Sequence, residues 1–131
     1  MLKKSSYLLR IYYEDTDLAG IVYYANYLKF IERARSEMLK ESSVDQIDLF
    51  KRGYFFVVVS LRANYLKPAY FADSLEVITE VEKINGASII LKQTVLRSEQ
   101  ELFEASIRLA LLDKSGKAVR LPANIRQLLR S

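Results

Sequence analysis

Residues Tyr13 to Arg35 read YEDTDLAGIVYYANYLKFIERAR, and this stretch decides the fold. From about Tyr23 onward its apolar residues recur at the spacing of one helix face, while charged residues take the other side. The apolar positions are Tyr23, Tyr27, Ile31, Ala34 and Met38. The pattern predicts a long helix that begins near Tyr23, ends near Glu41 and buries one face.

An acidic turn precedes this helix. Gly20 permits a tight turn with positive φ, and Asp15 and Asp17 lie close to the expected helix start. The first N–H groups of a helix have no partner within the helix, and they favour negative charge. A carboxylate beside a helix N-terminus is therefore a candidate reaction centre, although aspartate is also favoured there as a cap or turn residue.

The composition restricts the chemistry. A chain of 131 residues, 50% of them hydrophobic, fits one domain, which we expect to span 1–131. The sequence has no cysteine and no histidine, so disulfides, thiolate or histidine metal sites and imidazole bases are excluded. Carboxylates, hydroxyls, lysines and backbone groups remain, and we expect neither a metal nor a redox cofactor.

The charge and hydropathy patterns bear on partners and location. The net charge is +4, but 20 basic residues are interleaved with 16 acidic ones. This pattern does not favour nucleic acid, and it equally suits a phosphate-bearing molecule such as coenzyme A. No signal-peptide region or membrane-spanning run is recognisable, so we expect a cytoplasmic protein without integral membrane association.

Most of the remaining chain alternates as strands do. Residues 7–13 predict a first strand, 44–50 predict one or two helical turns stopped by Gly53, and residues after Pro122 predict a terminal helix. Segments 55–65, 75–82, 87–97 and 103–111 predict further strands, and Asn85-Gly86 predicts a hairpin between the middle two. One helix must cover all their apolar faces, so we expect an α+β fold in which a curved antiparallel sheet wraps around the helix.

The segment from Phe55 to Val59 is apolar on both faces. Phe55, Val57 and Val59 are expected to continue the face of Leu61, while the opposite face becomes polar at Ser60 and Arg62. One helix cannot cover both sides of this strand, which favours self-association. Ser60 and Arg62 are candidates for a ligand groove, and a solvated strand edge is an equally good interpretation.

The run from Asp15 to Tyr23, followed by Asn26-Tyr27 and residues 32–35, resembles the hotdog-fold acyl-CoA thioesterases of the YbgC and 4-hydroxybenzoyl-CoA thioesterase type. Residues 65–69 and 73–77 are similar to that family too, so the resemblance covers nearly the whole chain. It implies the hotdog fold, homodimers that commonly pair into tetramers, and active sites between subunits. Coenzyme A would enter only as part of the substrate.

The resemblance also implies residue roles. Asp17 corresponds to the catalytic aspartate, acting as base or nucleophile, and the Tyr24 backbone N–H corresponds to the donor that polarises the thioester carbonyl. Gly20, Val22 and Tyr23 are expected to contact the substrate, together with Ser60 and Arg62. Many YbgC-like members have histidine where Tyr24 stands, so help from that side chain is missing here.

The expected activity is hydrolysis of an acyl-CoA, or of an acyl group on an acyl carrier protein, to a free acid and a thiol. A hotdog dehydratase normally needs a histidine base, which this chain lacks. A non-catalytic protein that binds acyl thioesters as a scaffold in lipid or envelope metabolism is the alternative that the sequence leaves open.

Overall fold

The computed structural model describes residues 1–130; Ser131, the last residue of the expected domain, lies outside the described residues. The strands are β1 (Lys4–Arg10), β2 (Tyr54–Tyr65), β3 (Ser74–Ile84), β4 (Ser88–Arg97) and β5 (Gln100–Asp113). The helices are α1 (Asn26–Glu41), α2 (Gln46–Lys51) and α3 (Ala123–Leu128). All neighbouring strands are antiparallel, in the order β1-β3-β4-β5-β2, so β1 and β2 form the two edges.

Helix α1 packs its apolar face on the inner face of the sheet. Tyr27, Phe30 and Ile31 are buried there, and the sheet contributes alternating residues such as Val77, Leu91 and Ile107. Removing this apolar surface from water is the main favourable contribution to folding. The α+β architecture expected from the sequence, a curved antiparallel sheet around one long helix, is confirmed.

A buried amide links the helix to the sheet. Gln93 of β4 has no exposed surface, and its Nε2 donates to the Ile31 carbonyl at 2.8 Å and to Thr79 Oγ1 at 2.9 Å. Burying an amide N–H without an acceptor is costly, so these two Nε2 bonds help to fix where α1 lies on β3 and β4. The buried Oε1 of Gln93 has no hydrogen-bond partner among residues 1–130.

Helix α1 begins later than predicted. The expected start near Tyr23 is wrong by three residues, and Tyr23 is 46% exposed rather than part of the buried face. The reason lies in the carbonyls, which in a helix accept from four residues ahead. The Tyr23 carbonyl instead accepts the Asn26 N–H at 2.9 Å, and the Tyr24 carbonyl accepts the Tyr65 hydroxyl at 2.9 Å, which places this backbone outside the helix. The predicted end near Glu41 is confirmed.

Strand β1 lies three residues earlier than predicted. It spans Lys4–Arg10 instead of 7–13, and Tyr13 is exposed at the start of a short 3₁₀ turn, Tyr13–Asp15. This turn forms because the Asp15 carboxylate accepts the Tyr12 N–H at 2.8 Å, while the Asp15 N–H donates to the Tyr12 carbonyl at 3.0 Å. Local bonding by aspartate thus ends the strand.

Strand β2 contains a bulge that the sequence interpretation missed. Its pairing with β5 shifts register between Val58 and Ser60. The shift inserts one residue and exchanges the faces, so that the predicted face running from Phe55 through Val59 to Leu61 is wrong. Residues opposite buried positions of β5, and therefore on the inner face, are Phe56, Val58, Leu61, Ala63 and Tyr65.

The first half of β2 is only partly covered within one chain. Val58 and Val59 are 43% and 51% exposed, because β2 is an edge strand with no neighbour on its outer side. The hairpin at Asn85-Gly86 and the terminal helix are confirmed. None of the helices among residues 1–130 is both long and apolar enough to cross a membrane.

Candidate active site

The chain between the 3₁₀ turn and α1 folds into a closed loop at residues 16–22, here called the Asp17 loop. Thr16 and Val22 bridge its ends, and the Asp17 N–H donates to the Ile21 carbonyl at 2.9 Å. Gly20 has φ +81°, which a residue with a side chain rarely adopts, and its N–H donates to the Asp17 carbonyl at 3.0 Å. The loop is a tight turn that depends on this glycine.

The Asp17 carboxylate lies on the exposed side of this loop. Its Oδ1 accepts the Ala19 N–H at 2.9 Å, which fixes the side chain against its own turn. Among residues 1–130, this is the one hydrogen bond that the carboxylate makes with protein, so Oδ2 is free to meet a water molecule or a substrate. The arrangement supplies an accessible acceptor on a constrained backbone.

The loop is attached to the connection between β2 and β3 and to α1. Ile21 bridges to Tyr70, and the buried Val22 donates its N–H to the Ala69 carbonyl at 2.9 Å. The Asp15 carbonyl then accepts the Tyr23 N–H and Asn26 Nδ2, both at 2.9 Å. These contacts hold Asp17 and the start of α1 in one structural unit.

Tyr24 lies two residues before the first residue of α1. Its carbonyl accepts the hydroxyl of Tyr65 at 2.9 Å, and its ring is 62% exposed. No protein acceptor within residues 1–130 takes the Tyr24 N–H. The first turn of α1 contains no acidic residue, so nothing in that turn offsets the positive end of the helix. This region can receive a partial negative charge.

Tyr65 is the residue near Tyr24 that the sequence interpretation did not single out. Burial, and then the neighbouring Tyr24 phenol, raise the pKa of Tyr65. A tyrosine hydroxyl is protonated at neutral pH in any case, so this one can donate to the Tyr24 carbonyl. Tyr65 lies on the inner face of β2, opposite the buried Phe103, and nothing in the local sequence pattern indicated its partner.

The structure brings together five of the predicted site residues and separates two. Asp17, Gly20, Val22, Tyr23 and Tyr24 share the Asp17 loop and the segment that follows it. Ser60 and Arg62 are paired with Arg108 and Ser106, on the outer face of the sheet. Arg62 lines a pocket of about 230 Å³ there, with Glu82, Lys92 and Glu104. Within one chain these two residues do not adjoin the Asp17 loop.

The described residues offer no obvious metal centre: within 1–130, no three acidic side chains converge to hold an ion. The expectation of a protein without a cofactor stays a prediction. So does each substrate contact assigned to Gly20, Val22, Tyr23, Ser60 and Arg62.

Comparisons with known proteins place this chain in a family. The acyl-CoA thioesterase YbgC of Haemophilus influenzae is 38% identical over 123 residues, 92% of this chain and 90% of that protein. The acyl-CoA thioester hydrolase YbgC of Escherichia coli O6:H1 is 39% identical over 106 residues, 80% of this chain and 79% of that protein. The crystal structure of a probable thioesterase from Bartonella henselae superposes with a TM-score of 0.86 at 34% identity, covering 92% of this chain and 100% of the other.

The predicted resemblance and the hotdog fold are thereby confirmed. A family model described as the thioesterase superfamily matches residues 19–104, which is more than half of the chain. The match takes in the end of the Asp17 loop, all of α1, strands β2 to β4 and the first part of β5. With its sheet wrapped around one long helix, this chain belongs to the thioesterase superfamily.

Proposed function

We propose that this protein hydrolyses acyl-CoA thioesters, with the Asp17 carboxylate and the Tyr24 N–H as the reacting groups. One observation carries the assignment: a free carboxylate oxygen and an N–H without a protein acceptor occur on a single loop-to-helix unit. The relatives named as acyl-CoA thioesterases or hydrolases support the substrate class. The family match begins at residue 19, so the role of Asp17 rests on the loop geometry and on the motif.

The two groups have complementary tasks. When a nucleophile attacks a thioester carbonyl, the oxygen becomes an oxyanion. An N–H at the positive end of α1 stabilises that charge, and a preformed donor of this kind typically contributes about 2.7–4 kcal/mol. Asp17 either removes a proton from the attacking water or attacks the carbonyl itself. Both routes release a free acid and a thiol.

A screen for thiol release tests the function. We expect the purified protein to release free thiol from at least one acyl-CoA when short, long and aromatic acyl groups are compared. Acyl-pantetheine on a carrier protein is the second substrate form to include, because both forms contain the same thioester. An Asp17→Ala variant measured in parallel sets the background rate.

The alternative is a scaffold that binds acyl thioesters without turnover. In that case the protein would retain acyl-CoA in an equilibrium binding measurement, yet its thiol release would equal that of Asp17→Ala with every substrate. Such a result would exclude the proposed hydrolase activity. The cytoplasmic location expected from the sequence stays a prediction.

We also propose that the protein forms at least a homodimer through β2. This edge strand exposes a row of apolar side chains at Val58, Val59 and Leu61, which are 43%, 51% and 41% exposed. Long apolar edges tend to pair with another strand, and a second copy offers an identical one. Such pairing would cover the apolar segment that α1 leaves uncovered. The family resemblance implies that two such dimers then assemble into a tetramer.

Light scattering tests this assembly. We expect wild type to have at least twice the mass of one chain at micromolar concentration, and Val59→Lys to reduce that mass, because a charged side chain disfavours edge pairing. Val59→Thr keeps a β-branched side chain without charge and serves as the control. A monomeric wild type, or a Val59→Lys protein with unchanged mass, would contradict assembly through β2.

A further inference from the structure

The hydroxyl of Tyr65 makes a long-range contact with the proposed oxyanion site. Tyr65 is the last residue of β2, and its Oη donates to the Tyr24 carbonyl at 2.9 Å across 41 positions of sequence. The Tyr65 ring lies against Tyr27 and Phe103, with ring centroids 5.6 and 5.0 Å apart. Both of those residues are buried, so the hydroxyl is presented by a ring anchored in the core.

This hydrogen bond completes the restraint of the backbone around Tyr24. The peptide unit that carries the Tyr24 N–H is fixed through the Tyr23 carbonyl, which accepts the Asn26 N–H at 2.9 Å. The next unit, which carries the Ala25 N–H, is fixed through the Tyr24 carbonyl and Tyr65. Both flanking peptides are therefore held by their oxygens. Within residues 1–130, the N–H groups of Tyr24 and Ala25 meet no protein acceptor.

We propose that Tyr65 is a positioning residue, whose hydroxyl orients the Tyr24 backbone for oxyanion stabilisation. The inference rests on the proposed function, and it adds a residue of the edge strand to that site. Tyr65 acts through Tyr24 and is not itself assigned a contact with the reacting atoms. Donors that are oriented before the reaction stabilise an oxyanion without further reorganisation, so a loosened peptide reduces turnover more than substrate binding.

Tyr65→Phe tests the inference, because it removes the hydroxyl and keeps the ring. We expect kcat for acyl-CoA hydrolysis to fall roughly five- to tenfold, the size of one neutral hydrogen bond, while KM changes by less than about twofold. Tyr54→Phe is the matched control. It makes the same change at the other end of β2, where the hydroxyl has no hydrogen-bond partner among residues 1–130.

Amide spectra provide a readout that does not require turnover. In ¹⁵N–¹H spectra we expect the Tyr24 and Ala25 signals to move in Tyr65→Phe and to stay in place in Tyr54→Phe, with both melting temperatures close to wild type. Unmoved amide signals, an unchanged kcat, an equal loss in Tyr54→Phe, or a change confined to KM would overturn the proposal. A wild-type protein that releases no thiol would instead refute the proposed function, and the amide signals would still decide whether Tyr65 holds this peptide.

Discussion

Replacing Asp17 with asparagine is expected to lower kcat for acyl-CoA hydrolysis by at least ~10², the lower end of what general-base catalysis contributes. The substitution removes the negative charge and the proton acceptor at nearly constant size. A nucleophilic carboxylate would be lost as well, so both candidate mechanisms predict a large effect. The measurement is steady-state thiol release with the best acyl-CoA found in the screen.

The asparagine variant is a clean test because it preserves the loop. The asparagine side-chain oxygen can accept the Ala19 N–H, as Asp17 Oδ1 does at 2.9 Å, so the turn at Gly20 should persist. Glu14→Gln is the matched control: it removes one negative charge from the neighbouring 3₁₀ turn, at an exposed carboxylate that makes no hydrogen bond or ion pair among residues 1–130. Near-normal turnover in Asp17→Asn, or an equal loss in Glu14→Gln, would refute the assignment.

Heavy-oxygen water separates the two roles of Asp17. A nucleophilic carboxylate would form a mixed anhydride, and hydrolysis at the aspartyl carbonyl would leave ¹⁸O in the side chain after many turnovers. A general base never exchanges its oxygens. We expect no label in the peptide that contains Asp17, because this chain has no histidine to activate water against an anhydride. Label at Asp17 would establish the nucleophilic route.

The general architecture was predictable because it follows from local alternation. The buried positions Leu75, Val77, Thr79 and Val81 of β3 alternate as the sequence indicates, and the hairpin at Asn85-Gly86 lies where the turn residues place it. Side chains of a strand alternate between two faces, so the buried face of each strand can be predicted from its own residues. The order of the strands in the sheet could not be predicted in this way. Strand β2 pairs with β5 rather than with β3, and no local sequence pattern indicates which partner it takes.

The errors in the predicted fold arise where a distant partner decides the backbone. The bulge near Val59 shifts the register in which β2 pairs with β5. The run of consecutive valines at this position gives no sign of such a shift. The helix starts at Asn26 rather than at Tyr23 because the Tyr24 carbonyl accepts the distant Tyr65 hydroxyl, while the Leu28 N–H donates to the Ala25 carbonyl instead. In both cases tertiary pairing overrides a regular apolar period.

In the candidate site, too, contacts within a short segment could be predicted, whereas contacts across the fold could not. Asp17, Gly20 and Tyr24 lie within eight consecutive residues, so their proximity could be predicted from a turn and a helix start. Tyr65 reaches Tyr24 only through the folded sheet, and its hydrogen bond was therefore not predictable. Ser60 and Arg62 face outward because of the bulge, which period-two counting from Phe56 could not reveal.

Phe103→Ala is expected to lower the free energy of unfolding by about 3–5 kcal/mol, the usual cost of removing a buried aromatic side chain. Phe103 has no exposed surface, and its ring stacks on Tyr27 at a centroid distance of 4.9 Å and meets the Tyr65 ring at 5.0 Å. Alanine would leave a cavity between the first turn of α1 and the end of β2. The measurement is urea unfolding at one fixed protein concentration, since assembly shifts apparent stability.

The same substitution should also reach the proposed site, because Phe103 supports the ring that presents the Tyr65 hydroxyl to Tyr24. Phe103→Leu keeps most of the apolar volume and is the control, with an expected loss of about 1 kcal/mol. We expect the folded fraction of Phe103→Ala to show reduced kcat, as Tyr65→Phe does. The double variant Phe103→Ala/Tyr65→Phe should then lose little further kcat, because both changes release the same peptide. A stability loss equal to that of Phe103→Leu, or fully additive losses of kcat, would show that the aromatic cluster and the Tyr24 backbone are independent.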